Sequence, residues 1–400
     1  MGLKRVVVLG AGYAGVRAVQ ELTQVLGERE IVLIDRSRSH ELLTEMYKVA
    51  AGAASQGRVE VPLHRLLPHH RNLRLLHADI EGIDWRAREI RTSRGPVSYD
   101  TALICLGAVA EYCDVPGAQA HAMTLRHLDS AVRLRRRLDA LARRGGGQVV
   151  VVGGGLTGVE LASEIAARHP GRFHLTIAQA AATVLPDEDA GLAAYAERML
   201  EQAAIEVRRG ESVARVLPHG VQLTSGASLV ADLVVWTGGV RGNPLPQAAG
   251  LPVDGRGRVR VLPTLEVDGH PGLFAAGDVA SVPGAGGHPL PPTAQLAVQE
   301  GRLAARNILR LRAGRQPEPL RPRLLGMTAS LGASRGIARL GRLRLKGRPA
   351  HAVHELALLR YLYGIGGLGL LRREAYLGWT HPPAVPQQAG LQREDARGAS

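Results

Sequence analysis

Two stretches of the chain share one pattern of apolar and polar positions. Each begins with an uninterrupted apolar run, turns through glycines, and continues with apolar residues recurring every three to four positions. In the first, Val6-Val7-Val8-Leu9 leads into Gly10-Ala11-Gly12-Tyr13-Ala14-Gly15, and Val16 to Leu22 follow. In the second, Gln148 to Val152 leads into Gly153-Gly154-Gly155-Leu156-Thr157-Gly158, and Val159 to Arg168 carry Leu161, Ile165 and Ala166 on one side. A short continuous apolar run predicts a strand buried on both faces, and the later recurrence predicts a helix. A second apolar strand closes each unit: Ile31 to Ile34 ends on Asp35, and His174 to Ala178 ends on Gln179. The two units lie 143 residues apart, an internal repeat that sets the architecture.

The same reading assigns the remaining segments. His40 to Ala54 is expected as a helix, with Leu42, Leu43, Met46, Val49 and Ala50 as its apolar positions. Strands are expected at Val59 to Leu63, Leu73 to Ile83, Glu89 to Thr92 and Val97 to Gly107, then a basic amphipathic helix at Leu125 to Arg144. After the second unit come a helix at Gly191 to Ala203 and strands at Ile205 to Arg208, Val221 to Thr224 and Leu229 to Trp236, the last running into Thr237-Gly238-Gly239. Leu273 to Ala276 is a strand closing on Gly277-Asp278, and Thr293 to Ala313 is a long helix. The expected fold is α/β, with two Rossmann-like dinucleotide-binding domains, the first (1–115 and 251–315) interrupted by the second (116–250). A C-terminal region (316–385) and a disordered tail (386–400) follow.

Each glycine has a steric task. Gly10 permits a tight turn, Gly12 lets the backbone approach a pyrophosphate, and Gly15 lets the helix pack on the strand. The helix N-terminus then offers unpaired N–H groups to phosphates, and Asp35 can accept from a ribose diol. One dinucleotide needs one such unit, so two imply two nucleotides: a tightly held flavin and a visiting nicotinamide. A carboxylate at Gly277-Asp278 can accept from the hydroxyls of a ribityl chain, which assigns FAD to Gly10–Asp35. The nicotinamide then belongs to Gly153, Gly155 and Gly158. Gln179 stands where an acid would hold a ribose 2′-hydroxyl and repel a 2′-phosphate, so NADPH is expected to serve alongside NADH. Glu160, in the first turns of the second helix, is a candidate contact to the nicotinamide or the flavin edge.

Net charge is +14, and Lys occurs only at 4, 48 and 346, so nearly all the basic side chains are Arg. Such a chain suits an anionic partner. Arg133, Arg135, Arg136 and Arg137 nevertheless read as a solvated helix face, with no nucleic-acid partner. Cys105 and Cys113 form no CxxC, which excludes dithiol chemistry of the thioredoxin-reductase type. No metal constellation occurs. The chain enters a strand within a few residues and holds no run of 18 uncharged apolar residues, so a cytoplasmic protein is expected.

The segments GAGYAG with Asp35, TEMYKVAAG, YDTALICLG before VPG, GGGLTGVELASEI, VVWTGGV, LFAAGDVA and PPTAQLAVQEG (Pro291 to Gly301) carry a further likeness. The chain resembles the two-dinucleotide flavoprotein reductases and, more narrowly, the type II NADH dehydrogenases, single-subunit NADH:quinone oxidoreductases that do not pump protons. That resemblance implies FAD contacts at Gly10 to Gly15, Asp35, Arg36, Ile80, Gly107, Gly277, Asp278, Ala294 and Gln295. For the nicotinamide it implies contacts at Gly153, Gly155 to Gly158, Glu160, Gln179, Gly238 and Gly239, and for a quinone at Gln295 and Gln299. It also implies that the C-terminal region docks on the inner face of the cell membrane. Residues 316–380 carry eleven basic and three acidic side chains, and the apolar run Leu356 to Leu371 suits an interfacial segment or a homodimer contact. Rival readings are a sulfide:quinone reductase, a reductase of a protein such as ferredoxin, and a non-catalytic FAD/NAD(P)H redox sensor.

Overall fold

The computed structural model describes residues 5–25, 30–67 and 70–380; the tail expected to be disordered, 386–400, lies outside them. Val6–Leu9 is fully buried at the centre of a five-stranded parallel sheet, in the order Leu273–Ala275, Thr101–Ile104, Val6–Leu9, Ile31–Asp35, Leu73–His77. Gly147–Val152 is likewise central in a second parallel sheet, in the order Met123–Thr124, Leu233–Trp236, Gly147–Val152, Phe173–Gln179, Ile205–Arg209. Burial on both faces is why both central strands read as unbroken apolar runs. Leu273–Ala275 joins the first sheet after the whole second sheet has intervened in sequence.

The two units share one register. Leu9 pairs with Ile34 and Val152 with Ala178, and Gly10 and Gly153 each donate N–H to those partners' carbonyls at 2.8 Å. Asp35 and Gln179 therefore occupy equivalent positions at the two strand ends.

The C-terminal region forms an antiparallel sheet of Gly326–Ser330, Gly336–Leu340 and Leu343–Lys346. A helix Arg348–Thr380 follows, interrupted at Gly367 (φ 60°, ψ −157°). Arg339 and Arg344 anchor this sheet to the second unit through Glu188 (2.9 Å) and Asp189 (3.2 Å). Part of the basic charge of this region is thus neutralised inside the fold.

Several expected elements are subdivided or trimmed: Leu73 to Ile83 becomes Leu73–His77 and Ile80–Asp84, and Val97 to Gly107 becomes Val97–Ser98 and Thr101–Ile104. In place of one helix over His40 to Ala54, Ser39–Glu41 is a strand paired with Glu60–Pro62, and only Met46–Ala50 is α-helical after a 3₁₀ turn. Side chains at the start of the segment have other partners: His40 Nδ1 donates to Ala11 O (2.9 Å), and Glu41 accepts from the Leu128 N–H (3.0 Å). The basic helix begins at Leu128, behind an extended N-cap at His127 whose N–H donates to Ser130 Oγ (3.1 Å). Leu229 to Trp236 splits into Ser228–Val230 and Leu233–Trp236, where Asp232 turns to accept from the Gln148 N–H at 2.8 Å.

Candidate active site

The two glycine turns are geometrically alike. Gly10 and Gly153 lie at φ +101° and +104°, a left-handed conformation reserved for glycine. Gly12 (φ −73°, ψ −166°) and Gly155 (φ −75°, ψ −174°) precede helices Tyr13–Thr23 and Leu156–Arg168, and neither helix start is capped by a side chain. Their first-turn N–H groups are left for a ligand. Steric room is shared out in the same way. A Cβ at Gly15 would strike Gly10 O and one at Gly158 would strike Gly153 O, whereas a Cβ at Gly12 or Gly155 would meet nothing within 4 Å.

At the first loop, Asp35 accepts from the N–H groups of Ala11 and Ser37, both at 2.6 Å. Burial raises its carboxyl while those amides oppose the shift. Gly277 packs close to Ala14, since a Cβ there would lie 3.2 Å from Ala14 Cβ. Its N–H donates to Glu300 of helix Ala294–Arg312 at 2.6 Å, and burial pushes the Glu300 carboxyl up to about 7. Asp278 is thereby brought beside the loop, 3.6 Å from the Arg126 guanidinium. Arg126 also stands next to Gly107, where a Cβ would again meet open space, and its Nε is buried without a partner.

A helix N-terminus, an orphaned guanidinium donor and half-buried carboxylates around unfilled space fit FAD: donors for the pyrophosphate, acceptors for hydroxyls. Tyr13 packs its ring 4.9 Å from Tyr361 and 5.1 Å from His40. Arg36 reaches His127 Nε2 (2.7 Å) rather than the loop, and Ile80 is half-buried at the start of strand Ile80–Asp84. Ala294 opens the long helix behind the Thr293 cap, whose hydroxyl accepts from the Leu296 N–H (3.3 Å).

At the second loop, Leu156 and Thr157 are exposed beside Gly155. Thr237 closes the turn by donating to Val152 O (2.9 Å) or Gly153 O (3.0 Å), and Gly238 lies against the Trp236 ring. Gly239, at φ +146°, gives its carbonyl to the Glu111 N–H (3.0 Å). Gln179 is buried and braces the loop, accepting from the Gly154 N–H (2.9 Å) and donating to Thr183 O (3.0 Å). It does for the second loop what Asp35 does for the first, without a charge. Glu160 is 8% exposed and accepts from the Ser330 N–H (3.1 Å). Burial pushes its carboxyl up to about 8, which favours the uncharged form.

Gln295 and Gln299 grip the backbone that enters the C-terminal sheet. Gln295 donates to Gly326 O (2.8 Å) and accepts from the Leu325 N–H (3.0 Å); Gln299 donates to Arg323 O (2.9 Å) and accepts from the Arg323 N–H (3.0 Å). Both amides therefore hold segment 323–326 in place. Leu324 and Leu325 are left more than half exposed there.

Sequence reasoning missed Arg126, His40, Tyr361 and Glu300. Arg126 and His40 gave no local signal. Tyr361 stands in an apolar run, with its hydroxyl 2.8 Å from His40 Nε2. Glu300 was detectable as an acid on the otherwise buried side of the long helix.

The pyridine nucleotide-disulphide oxidoreductase family model matches residues 4–301, and the chain belongs to this family. A type II NADH:quinone oxidoreductase of Staphylococcus epidermidis is 29% identical over 392 residues, covering 92% of this chain and 97% of that protein. The Staphylococcus aureus protein of the same name is 28% identical over 398 residues, with the same coverage. Among solved structures, NDH2 of Plasmodium falciparum in complex with NADH has a TM-score of 0.85 at 15% identity, covering 96% of this chain and 99% of that one.

Proposed function

We propose that the protein is a flavoprotein NADH:quinone oxidoreductase that also accepts NADPH. FAD held at the first loop would supply the redox chemistry, hydride acceptance from the nicotinamide and two-electron reduction of the quinone. The chain's own residues bind and orient. Gly10 to Gly15, Asp35, Asp278 and Arg126 hold FAD; Gly153 to Gly158 hold the nicotinamide nucleotide. Gln295 and Gln299 shape the quinone entrance by fixing segment 323–326. The observation that carries this reading is the double grip on strand Gly326–Ser330. Gln295, from the helix packed on the first unit, holds one end, and Glu160, from the second unit's helix, holds the other. The names of the staphylococcal relatives support it. The rival sulfide chemistry is disfavoured because Cys105 is buried and burial raises its thiol.

The purified protein is expected to be yellow, to bleach on adding NADH anaerobically, and to recolour with a water-soluble quinone; no recolouring would refute the quinone role. In the same assay kcat/KM for NADH should exceed that for NADPH by less than about 100-fold, roughly 2.7 kcal/mol. No carboxylate stands at Gln179 to repel a 2′-phosphate, and a larger preference would overturn the dual-donor assignment.

We also propose that helix Arg348–Thr380 meets an anionic membrane. Leu356, Leu359 and Tyr363 are exposed at helical spacing beside exposed Arg360, while Leu362 and Ile365 are buried on the inner side. Among the described residues no helix is long and apolar enough to cross a membrane, which leaves interfacial docking. Co-sedimentation with phosphatidylglycerol vesicles, weakened by salt, is the expected result. A concentration-dependent dimer without vesicle binding would reassign the row to a homodimer.

A further inference from the structure

The carbonyl of Ala11 and the N–H of Gly12 belong to one peptide unit, and in a trans peptide they point in opposite directions. His40 grips the carbonyl side. It is fully buried on strand Ser39–Glu41, with Nδ1 2.9 Å from Ala11 O. A carbonyl only accepts, so Nδ1 carries the ring proton and Nε2 must accept in turn. The Tyr361 hydroxyl, 2.8 Å away on helix Arg348–Thr380, is its donor. Burial pushes the imidazole down to about 4, which favours the neutral ring that this chain of bonds requires. The neighbouring N–H, that of Ala11, is held by Asp35 at 2.6 Å. The Gly12 N–H points away from His40, and the space that a Cβ would take at Gly12 is empty.

Resting on the assignment of FAD to the first loop, we infer that His40 and Tyr361 are positioning residues for the cofactor. Tyr361 sets the His40 ring, and His40 sets the Ala11–Gly12 peptide so that the Gly12 N–H faces the pyrophosphate. The loop needs such a grip from outside. Gly10 and Gly12 flank Ala11, and neither has a Cβ to restrain the backbone. A flipped Ala11–Gly12 peptide would turn a carbonyl oxygen towards the phosphates and replace attraction by repulsion. A donor on the Ala11 carbonyl blocks that flip, and it also polarises the peptide, which strengthens donation from the Gly12 N–H. The last helix thus reaches into the flavin site without touching the reacting atoms. Its seat does not depend on Tyr361 alone, because Lys48 Nζ lies 2.7 Å from Glu355 and Gln20 donates to Ile365 O at 2.7 Å. Removing the Tyr361 hydroxyl therefore leaves the helix docked.

The test uses the full-length FAD-loaded protein and follows flavin release on dilution by the recovery of flavin fluorescence. Three substitutions divide the chain of bonds. Tyr361→Phe keeps the ring beside Tyr13 and loses only the hydroxyl. His40→Asn places an amide N–H donor at the level of Nδ1, and His40→Leu has no donor. Losing one buried hydrogen bond should raise the FAD dissociation constant about 10-fold in His40→Leu and about threefold or more in Tyr361→Phe. His40→Asn should restore most of the loss. A second readout is specific to the peptide: the ³¹P resonances of the bound FAD diphosphate should shift in Tyr361→Phe, which a merely structural role would not cause. Tyr361→Phe carries the test by itself where a change at the buried His40 unfolds the protein. Unchanged release with unmoved ³¹P resonances in Tyr361→Phe would overturn the inference, as would a His40→Asn protein that binds FAD no better than His40→Leu. Gly12→Val separates the two levels of the argument. If it loses FAD while the His40 and Tyr361 variants hold theirs, the positioning role falls and the first-loop assignment stands. If it keeps FAD, that assignment falls and the positioning role with it.

Discussion

Gly12→Val is expected to give a folded protein that purifies without flavin colour. The backbone at Gly12 is extended at negative φ, a conformation that valine adopts readily. A Cβ there would touch no protein atom within 4 Å, so the fold has no reason to resist. The added methyls would instead occupy the space in front of the first-turn N–H groups of helix Tyr13–Thr23, where a pyrophosphate must sit. Losing those contacts should weaken FAD binding by at least about 100-fold, roughly 2.7 kcal/mol. Gly15→Val is the contrasting control. Its Cβ would be driven into Gly10 O, so it should cost stability before it costs cofactor. Circular dichroism and the flavin-to-protein absorbance ratio separate the two outcomes. A yellow Gly12→Val protein with unsubstituted stoichiometry would show that the first loop does not hold the cofactor.

The glycine loops were legible because their geometry is local. Three glycines and one strand-end residue fall within one strand–turn–helix unit; the glycines leave steric room and the strand-end residue braces the turn by hydrogen bonds. The equivalence of Asp35 and Gln179 was legible for the same reason, but the work Gln179 does was not. Its amide braces Gly154, a contact set by how the turn folds back over the strand end. The segment His40 to Ala54 misled because its apolar spacing is truly helical, while its first residues answer to distant partners. His40 serves Ala11 and, through its other nitrogen, Tyr361. Gln295 and Gln299 were expected from the sequence to line a quinone site, and their amides hold the backbone of segment 323–326. What they hold depends on where the C-terminal backbone passes, which no local pattern encodes. The Lys48–Glu355 contact is of the same kind, joining residues far apart in the chain that only the packing of the last helix brings together. Sites built within one element could be read from the sequence; sites built between elements needed the fold.

Repeating the substitution at the equivalent position should separate the two nucleotides. Gly155 has the dihedrals of Gly12, and its Cβ would likewise meet nothing within 4 Å. Gly155→Val should therefore remain folded and, unlike Gly12→Val, remain yellow, because the first loop is untouched. Its side chain would stand before the N-terminus of helix Leu156–Arg168, beside exposed Leu156 and Thr157, and displace the phosphates of the nicotinamide nucleotide. The expected result is a fall in kcat/KM for NADH of about 100-fold or more, at least roughly 2.7 kcal/mol, carried mainly by KM because the lost contacts are binding contacts. With dithionite supplying the electrons, quinone should still reoxidise the variant at the unsubstituted rate. Stopped-flow absorbance of the two half-reactions measures both. If Gly155→Val keeps its NADH kinetics, the second loop is not the nicotinamide site, and two nucleotides can no longer be inferred from the two loops. If it loses flavin instead, the assignment of the loops is reversed. Retained colour with lost NADH reduction is the one outcome that the open space at Gly155 predicts.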